Sequence, residues 1–96
     1  MSYDDILQTH RQEILAIARR HGAVNVRVFG SVARHEASLD SDIDFLVEME
    51  AGRSLFDLGG LLYELQELLG VDVDVVTEKS LRMRIRDQVI SQAVPL

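Results

Sequence analysis

Hydrophobic and polar positions fall into helical and alternating stretches along the chain. Over residues 4–21 the apolar Leu7, Ile14, Ile17 and Ala18 recur at helical spacing, with acids at the start and Arg19 and Arg20 at the end to suit the helix dipole. This predicts one helix, stopped by Gly22. Residues 24–29 read as a strand with Val24, Val26 and Val28 on one face and Asn25, Arg27 and Phe29 on the other. Ile43, Phe45 and Val47 alternate as a second, half-buried strand, so Asp42 and Asp44 project from the opposite face. After a polar loop containing Gly52, Ser54 and Asp57 form a capping-box-like start to a helix. Its apolar stripe is Leu58, Leu61, Leu62, Leu65, Leu68 and Leu69, and Gly70 stands where a C-terminal glycine belongs. A third strand is predicted over 71–76, with Asp72 and Asp74 on one face. A last helix over 81–91 carries Arg82, Arg84 and Arg86, with Arg82 and Arg86 sharing a face. The order of elements predicts an α/β fold, a small mixed sheet with helices packed on its apolar face and the carboxylates on the other.

Those carboxylates carry the candidate chemistry. Along a strand the alpha carbons of Asp42 and Asp44 are about 7 Å apart, close enough for both side chains to meet on one or two divalent cations. A lone Asp-x-Asp more often ends a strand or lines a solvated edge, but here it has company. The first strand stops at Gly30 and Ser31. Glycine admits a ligand close to the backbone, and Ser31 stands near an expected helix N-terminus, as a phosphate contact, an N-cap or both. Arg34 follows, able to reach a phosphate or to fix the loop through a carboxylate. One of Asp72 and Asp74 can complete a three-carboxylate cluster. Without a cation, such a cluster raises its own pKa values by mutual repulsion, and a divalent ion relieves that conflict, as two-metal phosphoryl or nucleotidyl transfer requires.

The set Gly30, Ser31, Arg34, Ser41, Asp42, Asp44 and, on a later strand, Asp74 resembles the polymerase-beta-like nucleotidyltransferase superfamily. Within it the chain is similar to the minimal nucleotidyltransferase domain, the antitoxin of HEPN toxin–antitoxin pairs, over residues 24–96, including the closing run 90–96. His35 stands where such domains often have glycine, and Ser38 and Leu39 replace a stretch that commonly contains proline. The resemblance implies a polymerase-beta-like core and transfer of AMP from Mg-ATP to a hydroxyl, with a tyrosine of a HEPN ribonuclease as acceptor. It implies two Mg²⁺ ions held by Asp42, Asp44 and Asp74, nucleotide contacts from Gly30, Ser31 and Arg34, and a hetero-oligomer with the toxin. Asp74 is preferred to Asp72 because residues 73–77 resemble the corresponding strand of the family. Two other functions remain open: a binding antitoxin that masks the toxin without chemistry, and transfer to a small molecule of the aminoglycoside type.

Composition narrows the setting. Ninety-six residues suit one domain, expected over 1–96, which leaves presentation of the acceptor to another protein. A 47% hydrophobic and 27% charged composition is that of a globular chain. The formal charge of −6 argues against broad attachment to nucleic acid or an anionic membrane, since both need clustered basic surface. With no cysteine, disulfides and thiolate metal sites are excluded, and without a signal peptide or membrane-length apolar run the expected location is the cytoplasm. His10 and His21 read as packing or capping residues. The paired Gly59 and Gly60 inside a helix each cost about 1 kcal/mol relative to alanine, which either close packing or ligand approach could offset.

Overall fold

A computed structural model describes residues 3–34 and 42–96. Ser41, His35, Ser38 and Leu39 lie outside the described residues. The element order is α1 (Tyr3–Thr9), α2 (Arg11–Arg20), β1 (Ala23–Phe29), α3 (Gly30–Ala33), β2 (Ile43–Met49), α4 (Leu55–Leu69), β3 (Val73–Thr77), α5 (Met83–Gln92) and β4 (Val94–Pro95), with a 3-10 turn over Glu78–Ser80. The strands form one mixed sheet ordered β3-β2-β1-β4. β1 runs antiparallel to β2 and β4, whereas β2 and β3 are parallel and are connected through α4.

The single helix expected over 4–21 is two. His10 sits between them at φ −103° and ψ 12°, yet its N–H still donates to Ile6 O at 3.1 Å and its carbonyl accepts from Ile14 N at 2.9 Å. The helical bonding is therefore bent rather than abolished, and Tyr3, Leu7, Ile14, Ile17 and Ala18 are all buried in one core. Gly22 ends α2 at φ +77°, in the left-handed region that favours glycine.

β1 departs from strict alternation as well. Asn25 adopts φ 51°, and the register with β2 shifts between Val24 and Arg27, so a bulge interrupts the ladder. Below the bulge the side chains change faces. Ala23 is buried and Val24, expected beside Val26 and Val28 in the core, is 42% exposed. Arg27 is the buried charged residue among those described.

α4 follows its sequence pattern closely. Ser54 Oγ accepts from Phe56 N at 3.2 Å while Asp57 Oδ2 accepts from Ser54 N at 2.9 Å, satisfying N-terminal donors reciprocally. Leu61, Leu65 and Leu69 are buried and Leu58, Leu62 and Leu68 pack around them. Burial of each leucine contributes about 1.5–3 kcal/mol. Gly70 closes the helix at φ 69°, and its N–H donates to Gln66 O. Gly60 is the close-packing glycine: a Cβ there would lie 2.7 Å from His21 Cε1. His21 needs that space because it caps α2 and bonds Glu64, which also accepts from Arg20 Nη2 at 2.6 Å. A Cβ on Gly59 would meet open space.

The later elements differ at their edges. Asp72 precedes β3 rather than belonging to it, although its carbonyl accepts from Ile43 N at 3.0 Å. Arg82 is the N-cap of α5 rather than a helical residue sharing a face with Arg86, because its backbone is extended at φ −64° and ψ 142°. The 3-10 turn is built by reciprocal bonding of Thr77 and Ser80: Thr77 N donates to Ser80 Oγ at 3.1 Å and Ser80 N to Thr77 Oγ1 at 3.3 Å. No helix among the described residues is long and apolar enough to cross a membrane.

Candidate active site

Pairing brings Phe29, Asp44 and Asp74 abreast. Asp44 on β2 is the ladder partner of Phe29 on β1 and of Asp74 on β3. Residues directly opposite in neighbouring strands share a face, so the two carboxylates stand side by side. They occupy the end of the sheet where β1 finishes and β2 and β3 begin. Asp42, two residues before Asp44 and just outside β2, is exposed, as is Asp74; Asp44 is half-buried.

Gly30 holds this arrangement open. It takes φ +71°, and a Cβ there would lie 2.5 Å from Asp44 Oδ2, below any ordinary contact. Glycine was expected here to admit a ligand. The group it admits in the structure is the protein's own Asp44 carboxylate. Ser31 is not an N-cap: α3 starts at Gly30, Phe29 is its N-cap and no side-chain cap bond forms. Ser31 is instead a half-buried residue on this single helical turn, which ends at Arg34, whose N–H donates to Gly30 O at 3.2 Å.

The electrostatics of Asp44 follow from these positions. Burial first, then the charges of Asp74 and Asp42, push its pKa from the usual carboxylate value of 3.8 up to about 6; the positive charge of Arg34 opposes that rise. Asp72 is exposed and outside the set of charges acting on Asp44. Among the described residues, no three His, Cys, Asp or Glu side chains stand close enough together to form a ready metal cage. The aspartates share one end of the sheet without yet converging on a point. Their chemistry nonetheless fits a hard divalent cation such as Mg²⁺, which takes carboxylate oxygens and would relieve the repulsion that raises Asp44.

Farther along the same face, carboxylates have a partner. Arg27, paired in the ladder with Leu46, donates through Nη1 to Glu78 Oε1 at 3.0 Å and through Nε to Asn25 O at 3.2 Å. Its Nη2 is buried without a hydrogen bond and lies 3.9 Å from Glu48 Oε1. The burial of Arg27 and the placement of Phe29 beside Asp44 were not foreseen; the only sequence signal was their shared alternation with Asn25. A groove of about 780 Å³, lined by Met49, Arg53, Leu58, Thr77 and Ser80 among others, lies at the far ends of β2 and β3, away from the aspartates.

An α/β sheet with aspartates abreast on adjoining strands, above a glycine turn, defines a class. The nucleotidyltransferase domain model matches residues 11–94, and the chain belongs to that family. It is 52% identical to a solved structure assigned as a minimal nucleotidyltransferase, with a TM-score of 0.87 over 96% of this chain and 94% of the other. Among curated proteins it is 44% identical over 84 residues to MJ0435 of Methanocaldococcus jannaschii, assigned as a protein adenylyltransferase (88% of this chain, 90% of that one). It is 38% identical over 91 residues to the protein adenylyltransferase MntA of Thermococcus cleftensis (95% and 89%). A crystal structure of a mutant toxin–antitoxin pair, MntA–HpeT, aligns with a TM-score of 0.71 at 25% identity, over 90% of this chain and 70% of the other.

Proposed function

We propose that this chain transfers AMP from Mg-ATP to a hydroxyl of a partner toxin, most simply a tyrosine of a HEPN-type ribonuclease, and so neutralises it. The observation that carries the reading is the Asp44–Asp74 pair, abreast on parallel strands, with Asp44 seated against Gly30. The names of the relatives, protein adenylyltransferases and a toxin–antitoxin pair, supply the class of acceptor. Cytoplasmic ATP fits this activity.

In the reaction, the acceptor oxygen attacks the α-phosphorus, a new O–P bond forms, and the bond to the β-phosphate bridging oxygen breaks. Pyrophosphate leaves with that electron pair. Two Mg²⁺ ions, when bound by Asp42, Asp44 and Asp74, would neutralise phosphate charge and acidify the acceptor hydroxyl. Asp42 and Asp74 are exposed and can swing toward Asp44, whose carboxylate sits in the space that the missing side chain of Gly30 leaves open. Asp74 accepts the acceptor proton, a demanding step for tyrosine, whose ordinary pKa is about 10. Gly30 and Ser31 position the β- and γ-phosphates, and Arg34 adds positive charge beside them. A single domain over 1–96 performs this on an acceptor presented by the partner.

Intact-mass spectrometry of the protein encoded beside this chain, after incubation with the chain, ATP and Mg²⁺, tests the reading. A gain of one or more AMP units that is absent with the Asp42→Asn/Asp44→Asn double variant supports it. A stable complex that suppresses the partner with no mass gain would replace it with a binding antitoxin, and transfer to an aminoglycoside instead would replace the acceptor.

A further inference from the structure

α5 differs from α2, of the same length, and from α4 in how little it buries. α2 and α4 each bury three residues, whereas no residue of α5 is fully buried. Met83 is 83% exposed, and Ile90, seven positions on and therefore on the same side of the helix, is 36% exposed. Arg82 and Arg84 bracket Met83 and are exposed, and neither side chain makes an ion pair or hydrogen bond with a described residue. Arg86 turns inward instead, donating through Nη2 to Leu81 O at 3.1 Å. Asp87 is the only acid on α5. In a chain of formal charge −6, this is a local basic and apolar surface.

Its position gives the surface meaning. α5 packs beside α3, the turn that carries Ser31 and leads to Arg34. A body resting on α5 would therefore stand at the edge of the candidate active site.

We propose that the outer surface of α5, centred on Met83 and Ile90 with Arg82 and Arg84 at its start, docks the acceptor protein through a patch that is apolar at its centre and acidic at its rim. This rests on the adenylyl-transfer reading and names the surface that presents the acceptor to it. The charge pattern selects this occupant. A nucleotide triphosphate would answer the arginines but leave Met83 and Ile90 uncovered. Nucleic acid would meet Asp87 and the strong net negative charge of the rest of the chain. A second copy of the same surface offers only Asp87 against the arginines. An acidic, part-apolar protein surface satisfies both features, with apolar contact at the core and charge at the rim.

The test uses the full chain and the protein encoded beside it. Calorimetric binding and steady-state AMP transfer are measured for the parent, for Arg82→Glu/Arg84→Glu and for Met83→Asp. The charge-reversal variant is expected to weaken partner binding at least tenfold and raise KM for the acceptor in parallel, with kcat at saturating acceptor and KM for ATP unchanged. Met83→Asp is expected to weaken binding about fivefold or more, while unchanged melting temperature shows that both variants fold. Added salt should weaken parent binding more than binding by the charge-reversal variant. Unchanged partner binding in both variants overturns the proposal. A rise in KM for ATP with unchanged partner binding also overturns it and assigns the arginines to the nucleotide. If the parent binds the partner but transfers no AMP, the transfer reading fails while the binding comparison still decides the docking surface.

Discussion

The sheet face away from the main core carries carboxylates at both ends, and the two ends are treated differently. At one end Glu48 and Glu78 flank Arg27, whose buried guanidinium pairs them. At the other, burial and the charges of Asp74 and Asp42 push the half-buried carboxyl of Asp44 up to about 6, with Arg34 compensating only in part. Neutralised acids stabilise a fold; acids left in mutual repulsion store a preference for a cation. The same strands thus hold a structural ion-pair cluster and, a few residues away, the candidate site.

The largest effect should come from breaking the second end. Asp44→Asn is expected to reduce AMP transfer by about 10³-fold or more, since cation stabilisation of transferring phosphates supplies several kcal/mol. Asp74→Asn should act similarly, and Asp72→Asn should cost less than about fivefold, measured as acceptor mass gain over time. Equal losses from Asp72 and Asp74 would transfer the third-carboxylate role away from Asp74 alone. Gly30→Ala should reduce transfer by about 10²-fold as well as stability, because alanine at φ +71° is strained by about 1–2 kcal/mol and its Cβ displaces Asp44.

Breaking the first end should leave chemistry and remove stability. Arg27→Met is expected to destabilise by about 2 kcal/mol, read from chemical denaturation. That is less than the 3–5 kcal/mol typical of a broken buried pair, because Glu48 and Glu78 are partly exposed and can rehydrate. With saturating substrates, kcat should stay within about twofold of the parent.

The Asp44 end carries a dependence on pH. The folded protein holds the Asp44 proton more tightly than the unfolded chain does, because the folded pKa of about 6 exceeds the ordinary 3.8. Between those values the folded state binds more protons, so the contribution of Asp44 to stability is full below about pH 3.8, falls as pH rises and is lost above about 6. In metal-free buffer at pH 7.5, Asp44→Asn should therefore melt above the parent by a few degrees, on the order of what 1 kcal/mol gives in a domain of this size. At pH 3.5 that advantage should vanish. Millimolar Mg²⁺ at pH 7.5 should raise the melting temperature of the parent more than that of the variant, by mass action on the folded state. An unchanged difference across pH would mean that Asp44 is not held in a repulsive field.

Much of this could be read from the residues before any coordinates. Leucine spacing and the Ser54–Asp57 box located α4 because helix periodicity and capping are local. The alternation of Ile43, Phe45 and Val47 likewise put Asp42 and Asp44 opposite the core. What was illegible is non-local or depends on a single backbone angle. No pattern within either strand states that Asp44 lies opposite Asp74, since register depends on the packing of the whole sheet. The left-handed turn at Asn25 removes Val24 from the core, and Asn tolerates that conformation without announcing it. Gly30 was recognised as permissive, but the group needing its space, the Asp44 carboxylate, comes from the next strand.

The smallest effect separates two adjacent glycines that sequence alone could not distinguish. Both lie inside α4 and both cost helix propensity, so Gly→Ala at an unconstrained site should stabilise by about 0.5–1 kcal/mol through the unfolded state. Gly59 is such a site, with nothing within 4 Å of its added Cβ. At Gly60 the same methyl would meet His21 Cε1 at 2.7 Å and Nδ1 at 3.0 Å. Relief would require moving a ring whose other nitrogen engages Glu64 and whose residue ends α2. Gly59→Ala should therefore raise the denaturation midpoint and Gly60→Ala should lower it, with AMP transfer by Gly59→Ala unchanged because α4 lies on the sheet face opposite the aspartates. Opposite signs would establish that the glycine pair combines one conformational cost with one packing requirement; a gain from both would mean that His21 moves aside freely and that the α2–α4 contact is soft.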